Sequence, residues 1–103
     1  MKVELHCHST ASDGSLSPLE LIEQAQMKEI NILALTDHDT TGGIPQAKKI
    51  GKELDIQVIP GIELSTRYNN ENIHILGYFK DDSYLSLDFQ AFLKDLQEYS
   101  FGL

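Results

Sequence analysis

The stretch that most constrains the fold is Ile30-Asn31-Ile32-Leu33-Ala34-Leu35, a nearly continuous apolar run that ends in Thr36-Asp37-His38-Asp39. A strand buried on both faces reads this way, and such strands belong to parallel sheets covered by helices. Three ionisable side chains in succession at the exit of a buried strand are costly to desolvate unless they reach water or bind something. In βα architectures the loops at the strand carboxyl ends carry the chemistry. The expected class is α/β, with mostly parallel strands and covering helices.

The neighbouring segments fit that class. Lys2-Val3-Glu4 opens a first strand that runs into Leu5-His6-Cys7-His8. Ser17 at the N-cap, Pro18 at N1 and Glu20 at N3 form a capping box, so a helix is expected to about Glu29, with Leu19, Leu21, Ile22 and Ala25 along its apolar stripe. A second helix spans Ile44 to Leu54, with Ala47, Ile50 and Leu54 inward and Lys48, Lys49 and Lys52 on a solvated face. Ile56 to Ile59 reads as a third strand, interrupted by Pro60-Gly61 before Glu63. Leu64–Tyr68 and Ile73–Phe79 read as two strands around a polar turn, and Leu85–Tyr99 as a helix with Leu85, Phe89, Phe92, Leu93 and Leu96 on its apolar side.

Ligand-type residues recur where these strands end. Alternation along a strand puts His6 and His8 on one face, about 7 Å apart, with Cys7 opposite. Asp13-Gly14 supplies a carboxylate at a turn that can fold back over the same strand end. His38 follows the buried run, Asp37 beside it is suited to orienting a ligand, and Asp39 or Thr40 is suited to capping the next helix. Glu63 lies just past the Pro-Gly pair, and His74 sits between Ile73 and Ile75. A simple hairpin centred near Asn70 and Glu71 would pair His74 with Arg67. That leaves about four residues between His74 and the level of Glu63, too far to share an ion at about 3.3 Å per residue.

Four histidines, Asp13 and Glu63, without clustered cysteine, suit Mn, Zn or Fe and exclude an iron–sulfur or thiolate site. Six such ligands exceed what one zinc uses, so more than one ion is expected. Close metal pairs activate water and neutralise phosphoryl oxygens, which points to phosphoester hydrolysis. No serine lies in a G-x-S-x-G context, and Cys7 faces away from the histidines, so no nucleophilic triad competes. The formal charge of −8 over 103 residues disfavours general attraction to nucleic-acid backbone. A single cysteine forms no intrachain disulfide, and no apolar run resembles a signal peptide or a membrane span. A soluble, cytoplasmic protein is expected.

Taken together, His6-Cys7-His8-Ser9 with Asp13-Gly14, Thr36-Asp37-His38-Asp39, Gly61-Ile62-Glu63 and Ile73-His74-Ile75-Leu76-Gly77-Tyr78 resemble the PHP (polymerase and histidinol phosphatase) family. The likeness is strongest to its 3′,5′-nucleoside bisphosphate phosphatases and 5′→3′ exoribonucleases. The resemblance implies the N-terminal portion of a distorted (β/α)7 barrel, with residues 1–103 as part of one PHP domain. It also implies up to three divalent ions at the strand carboxyl ends. By that likeness His6 and His8 hold one metal, Asp13 and His38 a second, Glu63 bridges and His74 holds a third. Asp13, His38 and Glu63 are then the catalytic candidates, water is the nucleophile, and Arg67 is a candidate clamp for a second phosphate. The substrates implied are phosphorylated nucleotides or short RNA, with no membrane partner.

In that family a further His and an Asp-x-His motif come from a C-terminal part, so this chain alone is expected to turn over poorly. Its open sheet edge is expected to favour a homo-oligomer. The competing readings are a non-catalytic metal-binding module and the PHP domain of a bacterial DNA polymerase.

Overall fold

The computed structural model describes the backbone of residues 1–101 and their side chains except at positions 67, 68 and 96–101. Elements follow in the order β1 (Val3–Cys7), α1 (Pro18–Met27), β2 (Ile32–Leu35), α2 (Ile44–Glu53), β3 (Gln57–Tyr68), β4 (Glu71–Tyr78), a 3₁₀ turn (Asp82–Leu85) and α3 (Leu87–Phe101). The strands form one curled sheet in the order β1-β2-β3-β4. β1 and β3 run parallel to β2, and β4 is antiparallel to β3. The curl brings the ends of the sheet together, because the Tyr78 hydroxyl on β4 donates to the Leu5 carbonyl on β1 at 2.7 Å. The α/β class and the mostly parallel sheet expected from the sequence are both present.

β2 is the buried centre. Leu33, Ala34 and Leu35 are each no more than 1% exposed, so both faces of the strand are covered. Leu33 and Leu35 belong to one core cluster with Ile22 and Ala25 of α1, Ile44, Ala47 and Ile50 of α2, Ile56 just before β3 and Val58 within it. α1 begins as its sequence dictates. The Ser17 side chain accepts from the Glu20 N–H, Glu20 reaches back to the Ser17 N–H, and Pro18 stands in the first turn. Leu19, expected on the apolar stripe, is exposed instead. α2 lies close against β3 because Gly51 has no side chain. A Cβ there would come within 2.6 Å of both the Ile56 carbonyl oxygen and a Val58 methyl.

Three expectations are corrected. Pro60-Gly61 does not interrupt the third strand, since β3 runs unbroken from Gln57 to Tyr68. The strand changes partners there: residues up to Pro60 pair with β2 and those from Gly61 with β4. Proline is tolerated at this junction although it has no N–H, and its carbonyl accepts from Phe79 at 2.8 Å. Leu85 is not part of the last helix but lies in the 3₁₀ turn, largely exposed. Phe92, also expected on that helix's apolar side, is half exposed, whereas Leu93 is buried and Phe89 stacks edge-on against Phe79. Leu96 falls outside the described side chains. Among the described residues, no helix is long and apolar enough to cross a membrane.

Candidate metal centre

The carboxyl ends of β1, β2 and the middle of β3 converge, and β4 adds a fourth side. β1 carries an irregularity between Glu4 and Cys7, three residues there spanning two on β2. Strict alternation is therefore broken, yet the His6 and His8 Nε2 atoms still meet at 3.2 Å. Cys7 points the other way and packs at the edge of the core, as expected. Burial pushes its thiol up to about 11, which leaves it protonated and unreactive at neutral pH.

Glu63 lies at the centre and is 5% exposed. Its Oε1 is 2.6 Å from His6 Nε2 and 2.9 Å from His8 Nε2. Its Oε2 is 2.7 Å from His74 Nδ1 and 3.8 Å from His38 Nδ1. Burial alone would raise the carboxyl's pKa. Hydrogen bonds from His6 and His8 and the charge of His38 outweigh that and hold it below the usual range. Asp13, largely exposed, reaches His8 Nδ1 at 2.7 Å and His38 Nε2 at 3.3 Å. Its own desolvation is likewise overcome by the His8 hydrogen bond and the His38 charge, so its pKa also falls. The imidazoles stand in a row, with successive ring centres 5.0, 4.4 and 5.0 Å apart.

The turn that delivers Asp13 is built on buried polar contacts. Asp37, 2% exposed, accepts from the Ser9 N–H at 2.5 Å, the Ser9 hydroxyl at 2.7 Å and the Ser12 hydroxyl at 2.8 Å. Gly14 closes the turn by donating to the Ser9 carbonyl at 2.9 Å, and any side chain there would run into the His8 carbonyl. Asp37 therefore acts on the loop that carries Asp13. Ser9 and Ser12 are the partners that sequence reading missed. The signal for them was the cost of burying an aspartate at a strand exit, which demands donors close by.

His74 corrects the expected register. The β3–β4 turn holds only Asn69 and Asn70, at φ 51° and 66°, so Tyr68 pairs with Glu71 and Ser65 with His74. Asparagine tolerates this left-handed geometry, which is that of a two-residue hairpin turn. The turn centre lies one residue earlier than expected and moves the pairing by two. His74 thus faces Ser65 rather than Arg67, close enough to touch Glu63. The Arg67 side chain, the candidate phosphate clamp, lies outside the described residues. Neither Asp39 nor Thr40 caps α2, whose N-cap is Gly43 without a side-chain bond.

Donor atoms of His6, His8 and Glu63, of His8, Asp13 and His38, and of His38, Glu63 and His74 each lie within 4.8 Å of one another. Ligands of a tetrahedral ion with bonds near 2.1 Å sit about 3.4 Å apart. The observed 2.6, 2.9 and 3.2 Å separations in the first group would need to open by about 0.2 to 0.8 Å to admit an ion. The donor set fits divalent ions.

A family model described as PHP domain matches residues 4–99. The chain belongs to the PHP domain family. It is 53% identical over 76 residues to a 5′-3′ exoribonuclease of Haemophilus influenzae, covering 74% of this chain and 28% of that protein. It is 38% identical over 96 residues to a 3′,5′-nucleoside bisphosphate phosphatase of Chromobacterium violaceum, covering 93% of this chain and 33% of that protein. A crystal structure from Bifidobacterium adolescentis, provisionally designated a metal-dependent phosphoesterase, superposes with a TM-score of 0.81 at 27% identity, over 92% of this chain and 32% of that one. The chain thus spans about a third of the length of the PHP relatives it matches.

Proposed function

We propose that this chain is the N-terminal part of a PHP domain that hydrolyses phosphate esters of nucleotides or short RNA with Mn, Zn or Fe. The observation that carries this reading is the convergence of His6, His8, Asp13, His38 and His74 around Glu63 in three overlapping donor groups. His6 and His8 would hold one ion, Asp13 and His38 a second, and His74 a third, with Glu63 between them. Divalent ions bound there supply Lewis acidity, making a nucleophile from water at neutral pH and neutralising phosphoryl charge. The imidazole neighbours hold the Glu63 carboxyl below its usual range, which favours the ionised form that binds cations. Asp13, exposed at the rim, leaves its side open for a phosphate to approach.

The test is release of inorganic phosphate from a nucleoside 3′,5′-bisphosphate, and of 5′-mononucleotide from a 5′-phosphorylated oligoribonucleotide, in Mn²⁺. This chain is expected to turn over at least about 100-fold more slowly than a polypeptide of the relatives' full length, because the resemblance implies a further His and an Asp-x-His beyond these residues. His38→Ala in the longer polypeptide should remove nearly all activity. A His38→Ala enzyme as fast as its parent would overturn the reading.

The same reading predicts self-association. β1 and β4 are the sheet edges, and Val3 and Leu5 on β1 and Ile73, Ile75, Leu76 and Tyr78 on β4 are substantially exposed. Light scattering should give a dimer or larger species at high concentration, and a monomer throughout would contradict it.

A further inference from the structure

Asp39 lies beside the centre and has no place in the donor groups, yet its contacts account for how two of the strands are locked together. Beyond the end of β2, one more parallel step joins the chain to β3. The Glu63 N–H donates to the Asp37 carbonyl at 3.0 Å, and the Asp39 N–H donates to the Glu63 carbonyl at 3.0 Å. Continued ladder geometry would have the Ser65 N–H donate next to the Asp39 carbonyl. The backbone cannot supply it, because Asp39 turns out of the sheet at φ 55° toward Thr40 and Gly42. Its side chain does so instead, Oδ1 accepting from the Ser65 N–H at 2.7 Å. The carboxylate thus replaces the missing ladder acceptor and lets the chain leave the sheet without orphaning a strand amide.

The consequence reaches the metal centre. His38 is the residue bridged to Glu63, and Ser65 is the cross-strand partner of His74. Because the Ser65 N–H points to Asp39, the Ser65–His74 pair is of the non-hydrogen-bonded type, in which side chains approach most closely. His38, Glu63 and His74 form one donor group although they come from three different strands or strand ends.

Resting on the metal-centre reading above, we infer that Asp39 is a positioning residue that sets the geometry of the His38–Glu63–His74 group through the Ser65 amide. Two of its features, an acceptor oxygen and tolerance of left-handed backbone, separate by substitution. Asp39→Asn keeps both, and Asp39→Gly keeps only the backbone freedom.

The experiment is Mn²⁺ titration of this chain, with free ion followed by electron paramagnetic resonance, alongside thermal melting. Asp39→Asn should bind within about 3-fold of the parent, whereas Asp39→Gly should lose about 10- to 100-fold in affinity for one class of site, the range usual for groups that orient ligands. A purely structural role would lower the melting temperature without that selective loss, and would overturn the inference. So would an Asp39→Asn variant as weak as Asp39→Gly, since charge rather than the acceptor would then be at issue. Should Asp39→Gly not fold, Asp39→Ser, whose side chain is one bond shorter and draws the acceptor back from the Ser65 N–H, takes its place with the same expected loss. A parent that binds no Mn²⁺ would remove the metal-centre reading itself, and this inference with it. A parent that binds, with Asp39→Gly or its Ser substitute unchanged, would remove only the inference.

Discussion

Glu63→Ala is expected to cost this chain most of its bound metal, with affinity falling by well over the 10- to 100-fold typical of groups outside the coordination sphere. The reason is position. Glu63 contacts His6, His8 and His74 directly, lies 3.8 Å from His38, and belongs to two of the three donor groups. Elemental analysis of protein purified without chelator is the measurement, with Lys48→Ala as the control. Lys48 pairs with Asp82 at 3.0 Å at the surface, away from the centre, so its loss should leave the metal content unchanged. Equal metal in the two variants would exclude Glu63 as a ligand.

Glu63→Gln adds a pH signature in the metal-free chain. The carboxyl is held below its ordinary value of 4.5 in the folded state. Its contribution to stability is therefore present above that value and lost as pH falls through the depressed one. The parent's melting temperature should drop more steeply than the variant's on going below pH 4.5. Parallel curves would show that the carboxylate adds nothing to the fold.

Asp37→Ala carries the largest expected loss of stability. Asp37 is buried and accepts three hydrogen bonds from Ser9 and Ser12, so truncation leaves the two buried Ser9 donors without that partner and frees the half-buried Ser12 hydroxyl. Hydrogen bonds to a charged acceptor contribute about 1.5–3 kcal/mol each, and an orphaned buried donor costs on the order of 1–3 kcal/mol. A total of roughly 3–5 kcal/mol follows if the effects partly overlap. For a domain of this size that lowers the melting temperature by roughly 15 °C or more. The Ser9–Gly14 turn should loosen with it, so metal bound through Asp13 should weaken. Asp37→Asn, which keeps an acceptor oxygen, should be milder on both counts. A fully stable Asp37→Ala variant would mean that the turn is held by something else.

Much of this was legible in the residues. The apolar run through β2 showed a strand buried on both faces, and the capping box marked the start of α1 at Ser17 and Pro18. Local pattern alone put His6, His8 and His38 toward strand ends and Asp13 on a turn, whereas Glu63, read as a strand exit, lies inside the unbroken β3. The register of His74 could not be read that way, because it hangs on where a turn begins. Asn69-Asn70 and Asn70-Glu71 differ by one residue, and that shift displaces the pairing by two. The continuity of β3 through Pro60-Gly61 was hidden for a related reason. A strand that exchanges one neighbour for another has no local signature, and a Pro-Gly pair ordinarily marks a break. The pairings of Ser9 and Ser12 with Asp37 and of Ser65 with Asp39 escaped notice because the partners lie 25 to 28 residues apart in sequence. Such pairs arise only once the strand order is known.

The central claim is that these six side chains hold divalent ions at the mouth of the curled sheet. It is tested most directly by an anomalous difference map from crystals of this chain grown with Zn²⁺. The account predicts a peak about 2.0–2.2 Å from donor atoms of His6, His8 and Glu63. It predicts further density against Asp13 and His38, and against His74. Density only at surface carboxylates such as Asp81 and Asp82, with none among the four imidazoles, would contradict it.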